Sequence, residues 1–235
     1  MKYYKLDFSL NVDEVGKYPQ IETMYNLGDI EKVDNYPMAY KQSIDFIWDI
    51  PQPILYRQSK LTTLLSGGIF SSFILLVFRT SFVRFLERFN LGEYRSWPIK
   101  VHYKGQIFKE YSLFHISYPS DEQYVDYASS EFLIGTSEDW QNPDIRKPVK
   151  VEGYANYQSL MEVLKENENN ARIRCNKLIF DFTGTDIDMF RLIDIPFGEG
   201  YYVSERLKTA IEEQGFTGMA FEEIEEYEKG IKVVY

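Results

Sequence analysis

The chain has 235 residues, 36 acids against 26 bases for a net charge of −10, and 44% apolar residues. That length makes one large domain or two small ones with roughly 70% of the unfolded surface buried, and 3 Trp, 19 Tyr and 17 Phe exclude a disordered acidic chain. One cysteine, Cys175, excludes an intrachain disulfide or a cysteine-built zinc site, two histidines leave little for a His-rich one, and the negative charge opposes non-specific nucleic-acid binding.

The opening MKYYKLDFSL alternates and predicts a strand over Tyr3–Leu10. Lys5 and Asp7 interrupt the apolar run that an export signal needs, so a reducing cytosol is the expected location. Residues 11–45 are short mixed segments punctuated by Gly16, Pro19, Gly28 and Pro37. Ile47–Tyr56 carries Pro51 and Pro53, which limits it to an edge strand or an extended loop.

Leu61–Phe78 is 18 residues without a charge, at the lower limit of a spanning helix. Seven of them are Gly, Ser or Thr, however, and Ser66-Gly67-Gly68 splits the stretch into a short helix or loop and a buried strand, Ile69–Phe78. No membrane span is expected. An anchored, membrane-associated protein is the weakest of three functional readings.

Thr80-Ser81 predicts the N-cap of a helix with Phe82, Phe85, Leu86 and Phe89 on its apolar stripe, closed by a left-handed Asn90 and the packing residue Leu91. Ile99–Tyr103 and Ile107–Tyr118 predict a hairpin around Gly105. Residues 135–153 read as a long polar loop. Asn156 is then expected to cap a helix bearing Tyr157, Leu160, Met161 and Leu164, ended by ENENN at 166–170. Ile173–Phe180 and Tyr201–Val203 predict strands. Ser204 caps the clearest helix, with Glu205 in its first turn, Leu207, Ala210 and Ile211 buried, and Gly215-Phe216 at its end; Gly218–Ile224 returns as a strand.

The fold class expected is therefore α+β, a mixed and mainly antiparallel sheet with a few short helices. Residues 77–92 and 202–218 match at an offset of 125, pairing Phe82 with Leu207, Leu86 with Ile211, Glu87 with Glu212, Asn90 with Gly215 and Leu91 with Phe216. The match includes the cap positions, which favours two related strand–helix halves. The expected division is 1–97 and 98–235, packed as one compact unit.

Candidate chemistry is sparse. Lys177–Thr185 is a hydrophobic strand ending in Asp-x-x-Gly-Thr and resembles the phosphotransfer motif of haloacid-dehalogenase-like enzymes, in which the residue matching Asp181 is the nucleophile. Ser204 and Lys208 could imitate the second and third motifs. Only 54 residues follow Asp181, too few for that fold, so a turn after a buried strand is the better reading and a small magnesium-dependent phosphohydrolase the alternative. Asp181, Asp186 and Asp188 lack calcium-loop spacing and read as surface turn acids. His102 falls out of phase with Ile99, Val101 and Tyr103 and is expected on an exposed strand position; His115 is expected as a bonded sheet residue. Cys175 lies near Arg174 and Lys177, which could activate a thiol, although inert strand packing is the commoner case.

Two charge features stand out. Residues 79–109 hold seven bases and two acids, a local +5, read as a solvated face. Residues 221–230, FEEIEEYEKG, hold Glu222, Glu223, Glu225, Glu226 and Glu228, either a solvated turn or an acidic patch for a basic protein.

Asp188-Met-Phe-Arg-Leu192 and the segment Gly200–Phe221, with its SERLKTAIEEQGFTGMAF phrase, resemble the C-terminal signature of bacterial polymorphic-toxin immunity proteins. Tyr111–Ile116, Val125-Asp-Tyr and Ser129–Phe132 are similar to that family's middle region, so the likeness runs over about residues 98–224, with 135–170 departing as an insertion. The resemblance implies a protein that binds and neutralises a cognate toxin without catalysis, and so with no cofactor. Its matching positions are Ser204, Leu207, Gly215, Gly218 and Phe221, each with a structural role.

Overall fold

Residues 1–25, 50, 52–67, 75–116, 124–136, 146–166, 171–192, 200–227 and 230–235 are described by a computed structural model. Their strands are β1 (Tyr3–Phe8), β2 (Ile21–Tyr25), β3 (Gln52–Leu55), β4 (Leu64–Leu65), β5 (Leu76–Arg79), β6 (Tyr94–Tyr103), β7 (Gln106–Ile116), β8 (Glu131–Gly135), β9 (Lys147–Val149), β10 (Arg172–Asp181), β11 (Met189–Leu192), β12 (Gly200–Ser204), β13 (Met219–Glu223) and β14 (Ile231–Val234). The helices are α1 (Val12–Val15), α2 (Thr80–Leu86), α3 (Tyr154–Glu166), α4 (Glu205–Glu213) and α5 (Ile224–Tyr227). The protein is α+β, with mainly antiparallel pairing in three sheets.

The first sheet, ordered β2-β3-β6-β7-β5-β4, closes on itself. Ile21 at one edge bridges Gly67 just past the other, and the N–H groups of Gln20 and Ile21 both donate to the Ser66 carbonyl at 3.0 and 2.9 Å. All six strands send side chains into one apolar cluster, among them Met24, Leu55, Leu65, Val77, Val101 and Leu113. Alternation along each strand makes this cluster the inside of a small barrel. Gly67 permits the closure: a Cβ there would stand 2.5 Å from Pro19 Cβ.

The second sheet, β11-β12-β1-β13, is covered on both sides. Tyr3, Phe190 and Tyr202 point into one cluster. Leu6, Phe8 and Val203 point into another with α2, α4 and the outer sides of β4, β5 and β7. Double coverage explains why every residue of β11 and β12 is buried. The third sheet, β14-β10-β8-β9, packs with α3 against the first of these clusters. β1 therefore lies between β12 and β13, and the expected boundary at 97/98 falls inside β6.

Several elements differ from expectation for identifiable reasons. β3 is not an edge strand but lies between β2 and β6; it pairs with β6 at Ile54 opposite His102, a ladder that does not call on the N–H Pro53 lacks. Residues 61–67 form no helix, because tertiary hydrogen bonds hold their backbone. Fully buried Gln20 donates to the Lys60 carbonyl at 2.7 Å and to Thr62 Oγ1 at 2.9 Å and accepts from the Ser66 N–H at 3.0 Å. The Tyr111 hydroxyl donates to the Thr62 carbonyl at 2.8 Å and Arg79 to that of Leu61 at 3.1 Å. Of the expected strand Ile69–Phe78, Leu76–Phe78 belongs to β5 and residues 69–74 lie outside the described ones. Among the described residues no helix is long and apolar enough to cross a membrane.

α2 has Arg79 at its N-cap with no side-chain bond; the expected Thr80 hydroxyl is engaged instead with Ser112 Oγ at 3.0 Å. Asn90 is not left-handed, since Lys104 is the one described non-glycine residue with positive φ. The expected loop 135–153 contains β9, which pairs with β8. Asn156 sits inside α3, not at its cap, and accepts the Glu152 N–H at 3.1 Å. The strand β11 had no signal in the pattern. The expected hairpin is present and longer, turning at Lys104-Gly105.

Candidate functional site

Asp181 ends β10 exposed, and its Oδ1 accepts the Thr183 N–H at 2.9 Å. Hydrogen bonds from the Thr183 side chain and backbone hold its carboxyl below the ordinary value. It starts a turn. Ser204 and Lys208 are engaged elsewhere: Lys208 Nζ donates to both Glu212 carboxylate oxygens at 2.8 and 3.0 Å. Among the described residues no group of three or more His, Cys, Asp or Glu could hold a metal ion.

Asp188 is not a surface turn acid. It is buried and gathers four donors: Ser204 Oγ at 2.5 Å, Arg206 Nε at 2.9 Å and Nη2 at 2.7 Å, and the Asn90 N–H at 3.0 Å. Burial pushes the carboxyl up, but the bonds from Arg206, Ser204 and Asn90 outweigh it, and the group lies below its ordinary range. Asp186 is exposed at the rim, 3.9 Å from Arg206 Nη2. The arrangement ties the turn before β11 to the start of α4 and to the end of the α2 segment, so it is structural.

The positions that carry the resemblance fall on the same framework. Ser204 Oγ accepts the Leu207 N–H at 3.1 Å while donating to Asp188, and Leu207 is fully buried. At the far end of α4 the Phe216 N–H reaches the Ile211 carbonyl and the Gly215 N–H that of Glu212, a Schellman closure with Gly215 at φ +65°. Gly218, at φ +86°, is where a Cβ would stand 2.1 Å from the Leu64 carbonyl oxygen. Its N–H donates to Glu14 Oε1 at 2.8 Å and its carbonyl accepts from Ser9 at 3.1 Å. Phe221 packs at the rim of the cluster under α4.

The acidic run is exposed where described, at Glu222, Glu223 and Glu225; Glu228 and the side chain of Glu226 lie outside the described residues. Two of the three have fold partners. Lys2 pairs with Glu223, which raises the Lys2 pKa, and Glu225 Oε1 accepts the Val233 N–H of β14 at 3.0 Å. That bond satisfies an amide on the outer side of an edge strand.

Burial, only partly offset by a hydrogen bond from the Lys177 backbone, pushes the Cys175 thiol up to about 12, opposite to the lowering that its basic neighbours could give. His115 is fully buried with Nδ1 3.3 Å from Arg191 Nη1. Arg191 pairs across strands with Tyr201 and lies 6.0 Å from its ring. His102 is half-buried on the outer wall of the barrel, 3.0 Å from Gln52 Oε1 and with its ring 4.5 Å from that of Tyr25 at a tilt of 57°. An open cleft of about 900 Å³ lies at this end, lined by Glu22, Leu55, Arg57, Gln58 and Lys104. Sequence reasoning did not find this grouping, although His102 and Lys100 out of phase with Ile99 and Val101 mark one outward row. No family model and no curated protein matches the chain.

Proposed function

We propose that the protein is an immunity protein, a cytoplasmic stoichiometric binder that neutralises a cognate bacterial toxin by covering its surface, with the acidic run from Glu222 as a contact for a basic partner. The observation that supports this best is the fate of the reactive side chains: Asp181 holds a turn, Ser204 caps α4 and Cys175 is a thiol with a raised pKa. Groups that would serve a phosphohydrolase are engaged in holding the fold. Exposed carboxylates at Glu222 and its neighbours speed the encounter with a basic surface and reject wrong partners.

Co-expression with a toxic product of the neighbouring reading frame tests the reading. The chain restores growth and co-purifies with the toxin one to one, and Asp181→Asn protects as well as the parent. Glu222→Lys, at an exposed position of β13, slows association by on the order of tenfold. Unrelieved toxicity, or protection lost in Asp181→Asn with the fold intact, overturns the proposal.

A further inference from the structure

The barrel wall has two halves of different character. The outer sides of β4, β5 and β7 bury Leu64, Phe78, Phe114 and Ile116 against the central sheet and its helices. The outer sides of β2, β3, β6 and the hairpin end of β7 are more open. Register places Thr23, Ile54, His102 and Ile107 in one row across these four strands. Ile107 is 54% exposed and Tyr25, whose ring meets that of His102 at a tilt, is 51% exposed. Lys100 and Lys109 are exposed on the same strands, Lys104 at the hairpin tip, and Arg57 in the cleft beside it. The excess of bases read from residues 79–109 thus supplies three lysines to one exposed face of a protein of net charge −10.

We propose that this face and its cleft form a docking site for an extended acidic polypeptide segment in which carboxylates alternate with apolar side chains. The row spans three interstrand gaps, about 14 Å, the length of four to five extended residues. Lysines and Arg57 meet the segment's carboxylates, while Ile54, Ile107 and the paired rings of Tyr25 and His102 meet its apolar positions. Glu22 and Glu110, also at this end of the barrel, repel a strand that carries a phosphate at every step, but an alternating peptide can place apolar residues opposite them. The site lies on different elements from the acidic run of β13 and α5 and does not depend on the toxin.

The test uses the whole chain and a fluorescein-labelled peptide of alternating glutamate and leucine, followed by fluorescence anisotropy. The peptide binds, more weakly as salt rises, and Arg57→Glu combined with Lys104→Asn weakens binding about tenfold. Asn is chosen because Lys104 has φ +50°, which Asn tolerates. Lys100→Glu, far from that turn, weakens binding in the same direction, and Glu222→Lys leaves it unchanged. No anisotropy change with the parent chain overturns the proposal, as does binding by the folded Arg57→Glu/Lys104→Asn and Lys100→Glu variants equal to the parent's, or tighter binding of an oligo-dT strand of the same length.

Discussion

Residues 77–92 and 202–218 each run from a buried strand into a helix, and both helices bury their stripes in one cluster, Phe82 and Leu86 from the first, Leu207 and Ile211 from the second. Phe216, at the end of the second, lies 4.8 and 4.9 Å from the rings of Phe82 and Phe85. The ends differ. Ser204 caps α4 by its own side chain, whereas α2 starts at an uncapped Arg79. Gly215 closes α4 in a left-handed turn, whereas Asn90 donates its N–H to Asp188 and its amide to the Asp186 carbonyl at 3.0 Å. A shared core requires matching apolar stripes, so the stripes match. Polar caps go to whichever tertiary partner is nearest, so they do not. Likeness of stripe is thus weak support for duplication.

The contrast is steepest at Gly218, whose counterpart at the same offset is the exposed Glu93. Gly218→Ala brings a Cβ against the Leu64 carbonyl and Thr62 at a left-handed backbone, and is expected to cost about 3 kcal/mol or more. Chemical denaturation measures it. A cost near zero would mean that residues 62–64 and 218 do not meet.

Asp188 joins the two units and gives the next largest effect. Asparagine there turns an NH₂ toward donors from Arg206 or Asn90, and Asp188→Asn is expected to lose about 2–4 kcal/mol. The effect depends on pH with a definite sign. The carboxyl is depressed in the folded protein, so its contribution is complete above the ordinary carboxylate range and is lost as pH falls through the lowered value. Parent and variant should differ most near neutrality and converge in acid; a gap that widens in acid contradicts the assignment.

Much of this was legible in the sequence, and what was not shares a cause. β1, the β6–β7 hairpin, α4 and its Ser204 and Gly215 ends follow from alternation, spacing and cap chemistry within one segment. β4, β9 and β11 are two to four residues long and exist because other strands pair with them, which no local pattern encodes. Thr80 looks like a cap until Ser112 takes its hydroxyl. Asp188 looks like a turn acid until Arg206 and Asn90 arrive from 18 and 98 residues away. The exposed barrel face was hidden in the same way, because Tyr25, Gln52 and His102 meet only through the register of three strands.

The smallest effect separates the two accounts of Asn90 by its sign. If Asn90 were the left-handed end of α2, as Gly215 is of α4, glycine would relieve steric strain and stabilise the protein. In the structure Asn90 has no positive φ, and its side-chain amide holds the Asp186 carbonyl. Asn90→Gly then removes one hydrogen bond and adds freedom to the unfolded chain, while the bonds of the residue-90 backbone to the Asp188 N–H and carboxylate persist. Both changes act in the same direction, for a loss of about 1 kcal/mol. A lower denaturation midpoint at unchanged slope supports the tertiary role, and a higher midpoint restores the cap.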